Sequence, residues 1–353
     1  MRRLRLYTQR MGDMEQVPSG AGRYFGSVFS RKNAETGGAA PKRRLSARSL
    51  VTRDPEWVIW LRRVVLKRRP VLFHFEVPLT DHCSISCRGC TSFSALRPQR
   101  LADLGEFESD LRHMAALFSK VRQIHLVGGE PLLHPQVREL CEITRTVFPK
   151  SRIYLKTNGT LVMRMSDEFW ETLAKNRITL LCDSRPEGVP ALEIGLVGKQ
   201  RRVRVEWAST EREYLKIPID PRGGYEASVS FKDCQGLNNR PLLRDGHLYP
   251  CAYIAYGNTF REHFELPGLQ VYPTDWISIR EEPDPEQVFA FLRSPVHWCS
   301  NCDLENRTWC EWGVSQDHAS EWTTAPSPTV QPGGSRSAPA AMTSSFPGWD
   351  AQP

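Results

Sequence analysis

The chain has 353 residues, 40% hydrophobic and 25% charged, enough for one barrel-sized domain or two smaller ones with an ordinary globular interior. Its net charge of +7 argues little for nucleic acid, because residues 1–70 hold 17 Lys and Arg against 5 Asp and Glu, which leaves −5 for the rest. No apolar run reaches the ~18 residues of a membrane span, and the first ten residues lack the apolar core of a secretion signal; the expected compartment is the cytoplasm, where thiols stay reduced.

Residues 1–50 are rich in Arg, Gly, Ser and Ala without sustained periodicity, and read as a disordered basic arm. "PEWVIWLRRVVLKRR" (55–69) predicts a basic helix whose stripe of Trp57, Leu61, Val64 and Val65 caps the bottom of the domain that follows. "VLFHFEVPLT" (71–80) reads as a strand running into a cysteine loop. "FESDLRHMAALFSK" (107–120) is helical, with Leu111, Met114, Ala115 and Phe118 on one face. "VRQIHLVGGEP" is a second strand ending in a glycine turn, and "HPQVRELCEITRTVF" a second amphipathic helix. "SRIYLKTNG" is a third strand, "SDEFWETLAKN" a helix capped at Ser166, "ITLLCDS" a fourth strand and "RRVRVEWAS" a fifth. Repeated β-then-α units imply an α/β fold with a parallel sheet, open or curled into a barrel. Ligands of such sheets sit at the carboxyl ends of the strands. The cysteine loop, "GGEP" and "TNG" all fall there.

Residues 223–318 break this pattern. They are loop-rich and aromatic, carry Cys234, Cys251, Cys299, Cys302 and Cys310, and read as a small unit held by metal; residues 319–353 are a Pro/Ser-rich tail with too little apolar surface to order itself.

Three thiols in eight positions, Cys83, Cys87 and Cys90, could be a disulfide fragment, a zinc knuckle or the seat of an iron–sulfur cluster. A reducing compartment weakens the first. Zinc wants four closed ligands, and His82 is too close to Cys83 to serve without strain. Three soft thiolates suit a four-iron cluster with one iron left open. Cys141 and Cys182, on apolar faces, read as small core residues. His134, Lys156, Asp183, Arg185 and Glu206 lie near strand ends as candidate substrate contacts, with capping or surface ion pairs as the simpler reading.

The three-then-two spacing of "CSISCRGC", with "GGEP" and "TNG" on the next two strands, resembles the radical S-adenosylmethionine (radical SAM) superfamily. That resemblance covers about residues 70–312. It implies a partial (β/α)6 TIM-like barrel over residues 51–222 and a [4Fe–4S] cluster on Cys83, Cys87 and Cys90. The open iron would chelate the methionine part of S-adenosylmethionine, with Gly128, Gly129, Glu130, Thr157 and Asn158 as cofactor-binding positions. The sequence departs from the pattern at Gly89, where many members place an aromatic residue beside adenine; Phe93 is one candidate substitute. Cys234, Cys251, Cys299 and Cys302 resemble in spacing the ligands of a twitch or shortened SPASM domain, which implies a small α+β unit with one auxiliary [4Fe–4S] cluster; a zinc site from the same four thiols is the alternative. Cys310 is a fifth candidate ligand, a replacement for one of the four, or a packed thiol.

The implied function is an oxidoreductase: S-adenosylmethionine is cleaved to a 5′-deoxyadenosyl radical that takes a substrate hydrogen, with electrons from a flavodoxin- or ferredoxin-like donor. A small polar metabolite such as a sugar or cyclitol fits the short C-terminal unit. A peptide-modifying maturase is the alternative, although such relatives often carry a folded N-terminal recognition domain where this chain has a low-complexity arm. A non-catalytic zinc or iron–sulfur module on nucleic acid is the competing class, and it predicts no S-adenosylmethionine binding.

Overall fold

A computed structural model describes residues 52–324 apart from 53, 67, 184–185, 187, 209–212 and 235–239. The expected basic arm, Arg185 and the tail beyond 324 lie outside the described residues. The chain enters through the short helix α1 (Glu56–Trp60), continued by a wider-wound turn, Leu61–Val65. The expected apolar cap does not form: Trp57, Leu61 and Val65 are exposed and only Ile59 of α1 is buried.

Five βα-type strands follow in order: β1 (Val71–Thr80), β2 (Lys120–Gly128), β3 (Arg152–Thr157), β4 (Ile178–Cys182) and β5 (Val205–Trp207). All pair in parallel with their neighbours. Between them run α2 (Leu104–Leu117), α3 (Val137–Val147), α4 (Asp167–Lys175) and α5 (Ala191–Gln200). The α2 helix starts three residues before its sequence expectation, because the Asp103 carboxylate accepts from the amides of Gly105 and Glu106 and fixes the N-terminus there. The same shift leaves Phe118 extended after the helix, although still buried. The α5 helix was not expected, since Gly195 and Gly198 dilute its periodicity. Gly198 is required by contact: a Cβ there would enter the Val205 side chain of β5.

β1 separates two environments. Phe75, Val77 and Leu79 join Leu111, Met114, Ile124, Leu126, Leu140 and Phe169 in the larger hydrophobic core. His74 and Glu76, at the alternate positions, are buried on the other face of the sheet. Cys141 and Cys182 are fully buried, as small core residues should be.

The C-terminal part has more regular structure than its sequence suggested. It contains β6 (Glu213–Lys216), α6 (Ala227–Cys234), the hairpin β7 (Leu242–Arg244) and β8 (His247–Tyr249), α7 (Ala252–Ala255), α8 (Gly257–His263), β9 (Ile277–Ser278), α9 (Pro285–Phe291) and β10 (Thr308–Glu311). Strand β7 lies parallel to β1, and β8 and β9 add antiparallel strands, so one sheet runs β5-β4-β3-β2-β1-β7-β8-β9. The parallel part is the open-edged arrangement of a partial barrel, with the C-terminal hairpin on its first strand.

β6 pairs antiparallel with β10, which ties Glu213–Lys216 to the C-terminal part ahead of the expected boundary at 223. At the other end, the segment assigned to a disordered tail includes Trp322, fully buried among Phe93, Phe260 and Phe264. Trp322→Ala is expected to cost about 3–5 kcal/mol, read as a lowered unfolding midpoint. A change within ±0.5 kcal/mol, the usual scale for surface sites, would return residues 319–324 to the tail.

Candidate functional site

At the carboxyl ends of β1, β2 and β3 the three expected segments do meet. The Gly129 amide donates to the Thr80 carbonyl at 3.0 Å, and the Glu130 amide to the His82 carbonyl at 3.0 Å. The two backbones approach so closely that a Cβ on Gly129 would overlap the His82 carbonyl, and one on Gly128 would lie 2.5 Å from the Thr80 oxygen. Gly129 is therefore required by the cysteine loop itself, and Gly128 by the end of β1, before any ligand is considered.

Glu130 is fully buried. One carboxylate oxygen accepts from the Thr157 hydroxyl at 2.8 Å and the Leu132 amide at 3.0 Å, and the other from the Asn158 amide at 2.7 Å. Asn158 in turn points its Nδ2 at the Cys83 sulfur, 3.5 Å away, and at Ser84 Oγ, 3.0 Å away. Its Oδ1 accepts from Thr160. Thus the side chains of Glu130, Thr157 and Asn158 are engaged with one another and with the loop. Sequence reasoning assigned them to the cofactor; the geometry makes them first a brace for Cys83.

Burial pushes the Glu130 carboxyl up to about 7, although its three hydrogen-bond donors favour the charged form. A carboxyl raised on folding contributes stability that is present below its unfolded value and is lost as pH rises through about 7. The apoprotein is therefore expected to lose about 3 kcal/mol between about pH 5 and about pH 8, read by denaturant titration. Glu130→Gln should flatten that slope; an unchanged slope would assign the effect to another group.

Cys83, Cys87 and Cys90 are partly exposed and close enough for their charges to act on one another. Burial raises Cys83 to about 12, helped by the charges of Glu130, Cys90 and Cys87. Burial opposes ionisation of Cys90 too, but hydrogen bonds from Ser92 and Ser94 outweigh it and lower its pKa. Trp312 Nε1 donates to the Cys87 sulfur at 3.3 Å. The loop is thus a set of thiols provided with donors for thiolate charge.

Gly89 has a φ of +61°, and a Cβ there would lie 2.6 Å from the Tyr214 hydroxyl. Tyr214 of β6 therefore occupies the space beside position 89. Phe93 cannot reach a ligand: it is fully buried, stacked on Phe260 at 4.6 Å and Tyr253 at 5.5 Å.

The second set also assembles. Cys234 at the end of α6, Cys251 before α7, and Cys299 and Cys302 around a short turn lie within electrostatic reach of one another. Burial, then the neighbouring sulfurs, raises Cys302 well above the usual thiol value; burial takes Cys299 to about 11. Cys310 is elsewhere, on β10 opposite Tyr214. No disulfide joins any of the ten cysteines.

Residues 77–186 match the radical SAM superfamily. The chain carries a radical SAM domain. A GTP 3′,8-cyclase of Syntrophomonas wolfei subsp. wolfei is 31% identical over 120 residues, 31% of this chain and 34% of that protein. A GTP 3′,8-cyclase of Microcystis aeruginosa is 28% identical over 152 residues, 42% of this chain and 45% of that protein. The chain thus matches a third to a half of the length of these relatives. Among solved structures, BtrN in complex with AdoMet and 2-DOIA is 15% identical, with a TM-score of 0.42 over 66% of this chain and 93% of that one. Streptococcus suis SuiB bound to S-adenosylmethionine is 18% identical, with a TM-score of 0.34 over 43% and 38%.

A radical SAM domain implies a [4Fe–4S] cluster and S-adenosylmethionine, and the donor set at Cys83, Cys87 and Cys90 fits such a cluster. The domain also rests on residues that lay outside the motifs. Asp81 accepts from buried Arg97 at 2.6 Å and from Arg244 of β7 at 2.7 Å, and the Arg97 guanidinium sits 3.8 Å over the Tyr256 ring. The Arg88 amide donates to the Gly313 carbonyl, and Trp322 Nε1 to the Cys90 carbonyl at 2.9 Å. Only Asp81, adjoining the loop in sequence, carried any signal. His134 is buried with Nε2 at the Ala102 carbonyl and Nδ1 accepting from Gln136, a structural cap as the simpler reading held. Glu206 pairs with Arg204 at 2.6 Å. Among the described residues no helix is long and apolar enough to cross a membrane.

Proposed function

We propose that the chain is a radical SAM enzyme acting on a small polar metabolite, with Cys234, Cys251, Cys299 and Cys302 holding an auxiliary [4Fe–4S] cluster that takes the electron of a net oxidation. The observation that carries this reading is the pairing of a three-thiol loop with a separate four-thiol set. Three thiols leave a coordination position for a ligand; four close a site and leave it to electrons. When bound, the cluster and S-adenosylmethionine supply the 5′-deoxyadenosyl radical that removes a substrate hydrogen. The protein's part is to hold Cys83 through Asn158, set the loop against Gly128 and Gly129, and shield the site. We take Tyr214, which fills the space beside Gly89, as the candidate to pack beside adenine, and the carbonyls of Gly128 and Gly129 as candidate acceptors for the methionine ammonium.

Tyr253 supports coupling between the sets. Its ring stacks on Phe93, three residues after Cys90, and feels the charge of Cys90 as well as that of Cys302, Cys251 and Cys234. Anaerobic reconstitution tests the reading. Roughly eight irons per chain and 5′-deoxyadenosine formed with a two-electron-oxidised product support it. Zinc in place of half the iron, or cleavage without an oxidised product, counts against the auxiliary role.

A second reading comes from the relatives' names, which favour a GTP 3′,8-cyclase reaction. Both readings keep the small-molecule class over a peptide. Incubation with GTP separates them, because only the second predicts conversion of GTP.

A further inference from the structure

On the face of β1 opposite Phe75 and Val77, three metal-ligating side chains converge. His74 and Glu76 are two residues apart on β1 and so share a face, and His125 of β2 lies in register opposite Glu76. All three are more than nine-tenths buried. Their ligand atoms lie within 4.8 Å of one another, and His74 Nε2 stands 3.7 Å from Glu76 Oε1. That spacing is longer than a hydrogen bond. Among the described residues, His74 Nε2, Glu76 Oε1 and His125 Nε2 have no hydrogen-bond partner. Three buried polar atoms that lie close together without a hydrogen bond, held only by ion-pair contacts of 3.7 Å and 3.9 Å at Glu76 Oε1, are costly in an interior. The two imidazoles meet edge to face, ring centres 4.3 Å apart.

We propose that His74, Glu76 and His125 form a zinc-class divalent transition-metal site inside the sheet, distinct from both cysteine sets. Two imidazoles and a carboxylate are an established donor set for such ions, leaving a fourth position for water or a substrate oxygen. Tetrahedral bonds of the usual length would bring the ligand atoms to about 3.3 Å apart, a small closure for His74 and Glu76 from 3.7 Å and one of at most about 1.5 Å for the pairs with His125, which lie within 4.8 Å. The protonation states suit it. Burial lowers both imidazoles, so they are neutral. Burial opposes ionisation of Glu76, but the His74 contact and the charges of Lys156 and Arg240 outweigh it.

Lys156 and Arg240 also face the cluster as positive charges, Arg240 at 3.9 Å from Glu76 Oε1. They oppose a bare dication. Only an ion that bonds directly to both imidazoles overcomes them, so magnesium and calcium, which prefer oxygen ligands, are expected not to bind. Because the trio is buried, the ion enters as the sheet forms.

The test is the holoprotein purified anaerobically from zinc-supplemented cells. About one zinc per chain is expected, with zinc-edge X-ray absorption showing nitrogen and oxygen neighbours at about 2.0–2.2 Å and no sulfur at about 2.3 Å. His125→Ala should lower bound zinc about tenfold or more while iron content is unchanged. Sulfur neighbours, no zinc in the wild type, or equal zinc in wild type and variant would each overturn the site. The absorption measurement needs no variant, so a His125→Ala protein that fails to fold leaves the decision intact.

Discussion

Replacing Cys83, Cys87 and Cys90 together by Ala is expected to reduce cleavage of S-adenosylmethionine to background while the protein keeps about half its iron. The thiols are only partly buried and their side chains contribute little to either hydrophobic core, so folding should change by about 1 kcal/mol or less. The second set shares no ligand with the first. Its four thiols come from α6, the start of α7 and the turn after α9. The measurement is 5′-deoxyadenosine by chromatography beside iron per chain. Persistent 5′-deoxyadenosine would remove the loop from the chemistry. Loss of all iron from a folded protein would show that the two sites assemble as one.

Gly129→Ala should be nearly as damaging, although it removes no ligand. The added methyl would meet the carbonyl carbon and oxygen of His82 and the amide of Cys83, all backbone atoms. A flexible side chain could turn aside; a backbone held by the Glu130 amide and the Thr80 hydroxyl cannot without breaking those bonds. Overpacking of this kind costs about 1–3 kcal/mol, and the loop, the less tightly held partner, is where the strain should be relieved. The expected result is a folded protein with about four fewer irons and no cleavage activity. A variant with full iron content would show that β2 shifts instead.

The barrel part of the fold was legible because its strands are long and apolar and its helices strongly periodic. β1 matches its expected span to the residue. The C-terminal unit was not, because its helices are short and its strands three residues or so long, below the length at which periodicity carries information. At the site, the cysteines and the GGEP and TNG segments were readable as compact local patterns. Their roles were less so. Glu130 and Asn158 look like ligand residues in a motif, and only the hydrogen bonds show them bracing the loop. Tyr214, Trp312 and Trp322 left no signal, since each reaches the loop from more than a hundred residues away, and no periodicity encodes such a contact. His74 and Glu76 were hidden for another reason: they alternate with Phe and Val in what reads as an ordinary buried strand.

The indole of Trp322 bonds the Cys90 carbonyl across 232 residues of sequence. During synthesis the cysteine loop leaves the ribosome well before the side chain that completes it. At ordinary elongation speeds that interval is roughly ten to fifty seconds. Throughout it the loop is without Trp312 and Trp322, and so without two of the donors that fix it. Iron that arrived then would meet an unfinished socket with exposed thiols, open to wrong metals and to oxygen. Maturation of this protein is therefore expected to wait until residues 312–322 have been made, which makes the order of events in the cell, and not only the fold, part of how the first cluster is made.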